Sequence, residues 1–264
     1  MKSKAVIAFL LICVILTGCG GLDTVECVKD KIPLDYTATY SVSAANGIEY
    51  TNIYTVKAED GNLLIDSVGT APYYVTDNET GETSEEGVQT ITASSRLIYD
   101  EGAMCGMPQS VTEAYQNSAD EKQNTSFEFV HDHSLKMGTL TTRSNGSGSL
   151  KENVYTVSLT EQYFDKDSLA FIISAFSEQS GVIKISSGNR DTLQAVKFER
   201  LENTTEETPF GDFECLHYRI TPNTDFTVYS ADIYCDASSG IPVKIVHGTT
   251  TTVLTALETA IEAK

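Results

Sequence analysis

Polar and apolar positions alternate in short runs over most of this chain. Tyr36, Ala38, Tyr40 and Val42 interleave with Thr37, Thr39, Ser41 and Ser43, the period-two pattern of a strand with one buried face. Ala45-Asn46-Gly47 follows, and Asn-Gly is the strongest short hairpin signal. A second strand runs over residues 48–56, and Glu59-Asp60-Gly61-Asn62 turns the chain into a third over 63–68. The same reading predicts strands over 88–99, 127–131, 135–139, 154–159, 182–185, 193–201, 214–220, 228–234, 241–246 and 249–257. Residues 100–124 read as a loop with one short helix near 111–117, and 202–211 as an acidic loop.

One stretch departs from the alternation. Leu169, Ile172, Ile173 and Phe176 fall at i, i+3, i+4 and i+7, the stripe of an amphipathic helix. Asp165 or Asp167 stands where a cap belongs, and Gly181 lies beyond the far end. Ala170, Phe171 and Ala175 widen the apolar face. A helix this apolar needs a large surface to lie on, and a sheet is what the chain offers. The expected fold class is therefore mainly β with one or two helices: a curved antiparallel sheet, or incomplete barrel, wrapped around a helix. No repeat or long linker divides the chain, so residues 33–264 are expected to form a single half-barrel-like domain.

The first residues carry a different pattern. Lys2 and Lys4 precede an apolar run over 5–16. That run is shorter than the roughly 20 residues of a membrane span and reads as a signal peptide covering 1–18. Leu16-Thr17-Gly18-Cys19 resembles the bacterial lipobox. The resemblance implies cleavage before Cys19, a diacylglycerol thioether on its sulfur and an amide-linked acyl chain such as palmitate, two lipid signals that together anchor stably. Residues 19–32 then form a tether, and the domain sits on the extracytoplasmic face of a bacterial cell membrane.

Charge and cysteines sharpen this picture. The formal net charge is −19, and losing Lys2 and Lys4 makes it more acidic. Such a surface repels nucleic acid while leaving divalent cations or basic partners possible at acidic loops. Residues 77–87 carry Asp77, Glu79, Glu82, Glu85 and Glu86. Asp77 and Glu79 match the first two positions of a calcium loop, but Gly81 comes one place early, so the stretch reads as a solvated loop. Cys13 leaves with the leader, and Cys27, Cys105, Cys215 and Cys235 remain. Outside the cytoplasm they allow three disulfide connectivities, or four free thiols in an anaerobe. Cys215 and Cys235 lie symmetrically about Asp225 and would face each other in an in-register hairpin. That leaves Cys27 for Cys105.

The final third, residues 163–257, resembles the lipoprotein-carrier-like (LolA/LolB-type) proteins of the bacterial envelope. The matching features are Asp-x-Ser-Leu at Asp165 to Leu169, Gly-x-Phe-x-Cys at Gly211 to Cys215, Ile-Tyr-x-Asp at Ile233 to Asp236, Gly-Ile-Pro-Val-Lys at Gly240 to Lys244, and a Thr-rich closing strand. The resemblance implies a curved sheet around one or two helices, with acyl chains held between sheet and helix. Leu169, Phe171, Ile172 and Phe176 are the residues expected to line such a ligand site, against the alternative that they simply fill a core.

Little else in the sequence carries chemistry. His131-Asp132-His133 places two imidazoles on one strand face, but a site needs a third ligand, so no metal or cofactor is expected. No Gly-x-Ser-x-Gly elbow or His-Glu-x-x-His is present, so an enzyme is not expected. The function read from the sequence is a membrane-anchored binding module for an apolar ligand, an acyl chain or a lipoprotein. The alternatives are a surface lipoprotein that meets partners through acidic loops and, behind it, a hydrolase.

Overall fold

The alternation becomes strand along most of the chain. In a computed structural model, which describes residues 25–259 except 45–46, 78–79, 101, 146–150, 159–161, 187–191 and 225–226, fifteen strands form one antiparallel sheet. Its first half is β1 (Tyr36–Ser43), β2 (Glu49–Glu59), β3 (Asn62–Thr76), β4 (Thr83–Ile98), β5 (Pro108–Asn117), β6 (Thr125–Asp132), β7 (Met137–Ser144) and β8 (Lys151–Ser158). The second is β9 (Ser180–Ser186), β10 (Leu193–Arg200), β11 (Thr204–Thr208), β12 (Gly211–Pro222), β13 (Ala231–Asp236), β14 (Pro242–His247) and β15 (Thr250–Thr259). The first eight strands form a meander. At β1 the sheet continues not with a sequence neighbour but with β15, then β14, β13, β12, β10 and β9, while β11 pairs with β12 off this path. The sheet does not close: β8 and β9 are its two ends.

The chain between those ends crosses the inner face, and the sheet curves around it. Phe171 packs on Tyr54 of β2, with ring centroids 4.7 Å apart. Phe176 packs on Phe198 of β10 at 5.4 Å. The Cys235 thiol of β13 lies 4.0 Å from the Ala170 carbonyl, and Ser174 Oγ donates to the Gly240 carbonyl at 3.0 Å. One segment meets strands this far apart in the sheet only if the sheet wraps it.

That segment is not the expected helix. It consists of two short 3-10 turns, Leu169–Phe171 and Ile173–Ala175, broken at Ile172 with φ −124°. Its amides bond mostly three residues back, as in Ile172 N–H to Leu169 O at 3.2 Å and Ala175 N–H to Ile172 O at 2.9 Å. The reason is burial all round. Leu169, Ala170, Phe171, Ile172, Ile173, Ala175 and Phe176 are all buried, so there is no polar side to direct outward. The stretch is also rich in β-branched and aromatic residues, which are poor helix formers, and too short to offset the cost of nucleation. Asp165 braces the turn ahead of it rather than capping it: Oδ2 accepts from the Ser168 amide and hydroxyl at 3.3 and 3.2 Å, and Oδ1 from Ser186 Oγ at 2.9 Å, while the cap position itself is Ser168.

Other stretches also depart from expectation. Residues 111–117 belong to β5 rather than to a helix. Within the predicted loop over 202–211 lies β11, whose Thr-Thr-Glu-Glu-Thr sequence has no apolar residue to reveal it. The acidic stretch is partly strand: β3 runs to Thr76, β4 begins at Thr83, and Glu85 and Glu86 lie on β4. In the turn between them, Asp77 Oδ1 accepts from the Thr80 amide at 2.8 Å and Gly81 takes φ +73°, a geometry that favours glycine. Within the stretch read as tether, Val25, Cys27 and Ile32 are core residues. The Val28 amide donates to Ala175 O at 2.8 Å and the Ser177 amide to Glu26 O at 2.9 Å, so this stretch lies alongside the crossing segment.

Candidate functional site: a cleft on the inner face

The inner face of the sheet alternates as a half-buried sheet should, but one patch of it is built from small residues. Across β2, β3, β4 and β5, Tyr54 stands beside Ser67, Ser67 beside Ala93 and Ala93 beside Glu113. In the next inward row Asn52 pairs with Gly69, and Gly69 with Ile91. Among these, Ser67, Gly69 and Ala93 are short and leave space under the crossing segment, a cleft of about 300 Å³. That is the lower end of the range for small-molecule sites. Its far wall is Lys166, Asp167 and Ala170, and its rim includes Tyr229 and His247.

The lining is mixed. Tyr229 stacks on His247 with centroids 4.9 Å apart, and its hydroxyl donates to the Lys166 carbonyl at 3.4 Å. Burial pushes the Tyr54 phenol up to about 12, with the nearby Asp167 charge adding to the rise. Burial and the charges of Asp167 and Asp165 likewise raise the Tyr229 phenol. Both phenols are therefore neutral hydrogen-bonding groups at ordinary pH. Lys166 Nζ sits 2.5 Å from Asp167 Oδ1, so the cleft wall carries its own ion pair. On the floor, a Cβ placed on Gly69 would collide with Asn52 Oδ1. Glycine at this position lets the Asn52 amide lie flat there, with Nδ2 donating to the Tyr54 hydroxyl at 3.5 Å.

The residues expected to hold a ligand lie elsewhere. Leu169, Phe171, Ile172 and Phe176 are at most 5% exposed and belong to the filled core. Their neighbours Ser168 and Ala170 reach the cleft instead. The sequence reading missed Asn52, Ser67, Gly69 and Glu113. The signal available was a run of small or polar residues at inward positions of β3 to β5, where alternation predicts large apolar ones.

The cysteines divide unequally. Cys19 lies outside the described residues. Cys27, Cys105, Cys215 and Cys235 are all free and buried. The Cys215–Cys235 expectation is overturned by register: Cys215 pairs with Asp236 and Leu216 with Cys235. One residue of slip puts the two thiols on opposite faces of the sheet. Burial drives Cys215 up to about 11, helped by Glu206 and Asp236, and raises Cys235. The expected Cys27–Cys105 bridge is not formed either, since both thiols are free, but these two meet in the core. The Cys105 contact, then burial, holds the Cys27 thiol well above the ordinary range, and Cys27 Sγ lies 3.4 Å from where Gly106 would carry a Cβ.

The histidines do not converge on a metal-binding geometry. His131 is buried, its ring 3.8 Å from that of His133 and its Nδ1 3.3 Å from the Tyr163 hydroxyl. His133 Nε2 is 3.1 Å from the Pro108 carbonyl. Across the sheet, His217 and Arg219 share Asp232 at 2.6 and 2.9 Å. Among the described residues no group of three His, Cys, Asp or Glu is placed to hold a metal ion, and no helix is long and apolar enough to cross a membrane.

A scan of known protein families and a search of curated proteins find no match to this chain. Among solved structures it is similar to a Bacteroides fragilis protein described as exported and of YmcC-like fold. The identity is 12% over 85% of this chain and 96% of that one, with a TM-score of 0.28. The likeness to the lipoprotein-carrier family therefore stands on the short motifs alone, without the helix it implied.

Proposed function

We propose that this protein is a lipid-anchored, non-enzymatic binding module on the outer side of a bacterial membrane, and that it holds a small ligand in the inner-face cleft. The leader and Cys19 support the anchoring, and the acyl chains on Cys19 are its membrane contact. The cleft supports the binding role. The observation that carries the reading is the patch of Ser67, Gly69, Ala93 and Ser95 under the crossing segment. A sheet under selection for packing alone fills such a patch, because voids cost stability. The ligand is amphipathic rather than a bare acyl chain, because the groups expected to hold a chain are consumed by the core. Native mass spectrometry of the extracted mature protein tests this: a bound small molecule is expected, and Gly69→Val, which crowds the floor, is expected to release it. Identical ligand-free spectra for both proteins would overturn the proposal.

A further inference from the structure

We infer that the cleft takes a neutral polyhydroxylated ring, a mono- or disaccharide; this deepens the binding role proposed above and rests on it. Four observations narrow the ligand class. The lining is mixed where an acyl chain needs it dry: beside Ile65, Ile91, Val111 and Ile245, the polar Asn52, Ser67 and Ser95 also face the space, and burying them against methylenes would strand their hydrogen-bonding groups. Glu113 and Asp167 on the lining, within a chain of net charge −19, oppose an anion. At Asp167 a cation is disfavoured, because Lys166 already holds that carboxylate at 2.5 Å and an incoming ammonium would have to displace it. What remains is a ligand that offers both donors and acceptors and an apolar face.

The lining matches those needs. Carboxylates and the Asn52 amide oxygen accept from hydroxyls, while Lys166, the serines and the neutral Tyr54 phenol donate. The Tyr229–His247 stack at the rim supplies aromatic surface for the C–H side of a sugar ring. A volume of about 300 Å³ suits one or two rings and not a polymer. Asn52 is the specificity residue, and Gly69 is the positioning residue that gives it room.

Calorimetry decides the matter, using the mature lipidated protein in a detergent without a sugar headgroup. The probes are glucose, galactose, N-acetylglucosamine and their β-linked disaccharides, with laurate and choline as competitors of other classes. Saturable binding of at least one saccharide is expected. Asn52→Ala and Gly69→Val are expected to weaken it at least tenfold while circular dichroism and the melting profile stay those of a folded protein. Laurate or choline binding that is lost in Gly69→Val, with no saccharide binding, would overturn the saccharide assignment and leave the cleft's binding role standing. Failure of every probe, together with ligand-free native mass spectra, would overturn both.

Discussion

The thiol of Cys27, just beyond the expected anchor, meets the thiol of Cys105 in the loop between β4 and β5. The two segments are far apart in sequence, and the contact pins the first described residues to the body of the protein. Exposure to glutathione disulfide is expected to produce one intramolecular bridge, Cys27–Cys105, as the two thiols give up two electrons and two protons and glutathione disulfide becomes two thiols. Peptide mapping should find this bridge, with Cys215 and Cys235 free and alkylated only after unfolding. Closing so long a loop is worth about 4 kcal/mol, so the oxidised protein should melt higher than the reduced one. A Cys215–Cys235 link would contradict the observed register.

The crossing segment acts as a plug, and its largest anchor is Phe171, 1% exposed. Phe171→Ala is expected to cost about 3–5 kcal/mol, the usual range for emptying a core aromatic site. Urea denaturation measures it. A cost below 1 kcal/mol would mean that the segment does not hold the sheet in its curve.

Asp165 ties the start of that plug to β9 through Ser186. Asp165→Ala leaves the Ser168 amide, the Ser168 hydroxyl and the Ser186 hydroxyl without their acceptor. The expected loss is about 2–3 kcal/mol, read from the same denaturation curves. Asp165→Asn keeps one acceptor oxygen and should lose less.

Burial first, then the neighbouring His133, lowers His131 to about 4 from the ordinary 6.5, against the pull of the Pro108 carbonyl and Asp132. The folded state thus resists a proton that the unfolded chain accepts. Stability is unaffected above pH 6.5, falls as the pH drops from 6.5 to 4, and levels below that. The slope approaches 1.4 kcal/mol per pH unit, for about 3 kcal/mol in all. His131→Phe removes this contribution, so its stability-versus-pH curve should be flatter than wild type in that window. The Tyr163 hydroxyl loses its partner in the variant, so the slopes and not the absolute stabilities are compared.

Cys19→Ala is expected to leave the protein either unprocessed or released from the membrane. Fractionation and intact mass of the mature protein check it. Membrane retention with unchanged mass would remove the anchor from the proposed function.

Much of the sheet was legible because half-buried strands write their faces into the sequence. Tyr36 to Val42 reads correctly without any tertiary information. The plug did not, because spacing at i, i+3, i+4 and i+7 reports burial and not backbone hydrogen bonding, and full burial of Ala170, Phe171 and Ala175 erases the periodicity that would separate a helix from 3-10 turns. The strand over 204–208 was invisible because it has no apolar residue to mark a buried face. The disulfide expectation for Cys215 and Cys235 failed by one residue, since symmetry about a turn does not fix register. The cleft was written as a deficit of bulk at Ser67, Gly69 and Ala93, which becomes meaningful only once pairing shows these positions to be neighbours.

The adjacency of β1 and β15, with Tyr36 opposite Thr259 and Ser43 opposite Thr251, has a consequence for assembly. The seam between the two halves is completed by β15, the last of the described strands, and the plug emerges only after eight strands already expose an uncovered apolar side. A nascent chain stopped short of residue 250 holds two unjoined sheets linked through the plug, each with a bare margin open to foreign strands. Folding of this protein is therefore slow, dominated by distant pairings, and intolerant of the loss of β15.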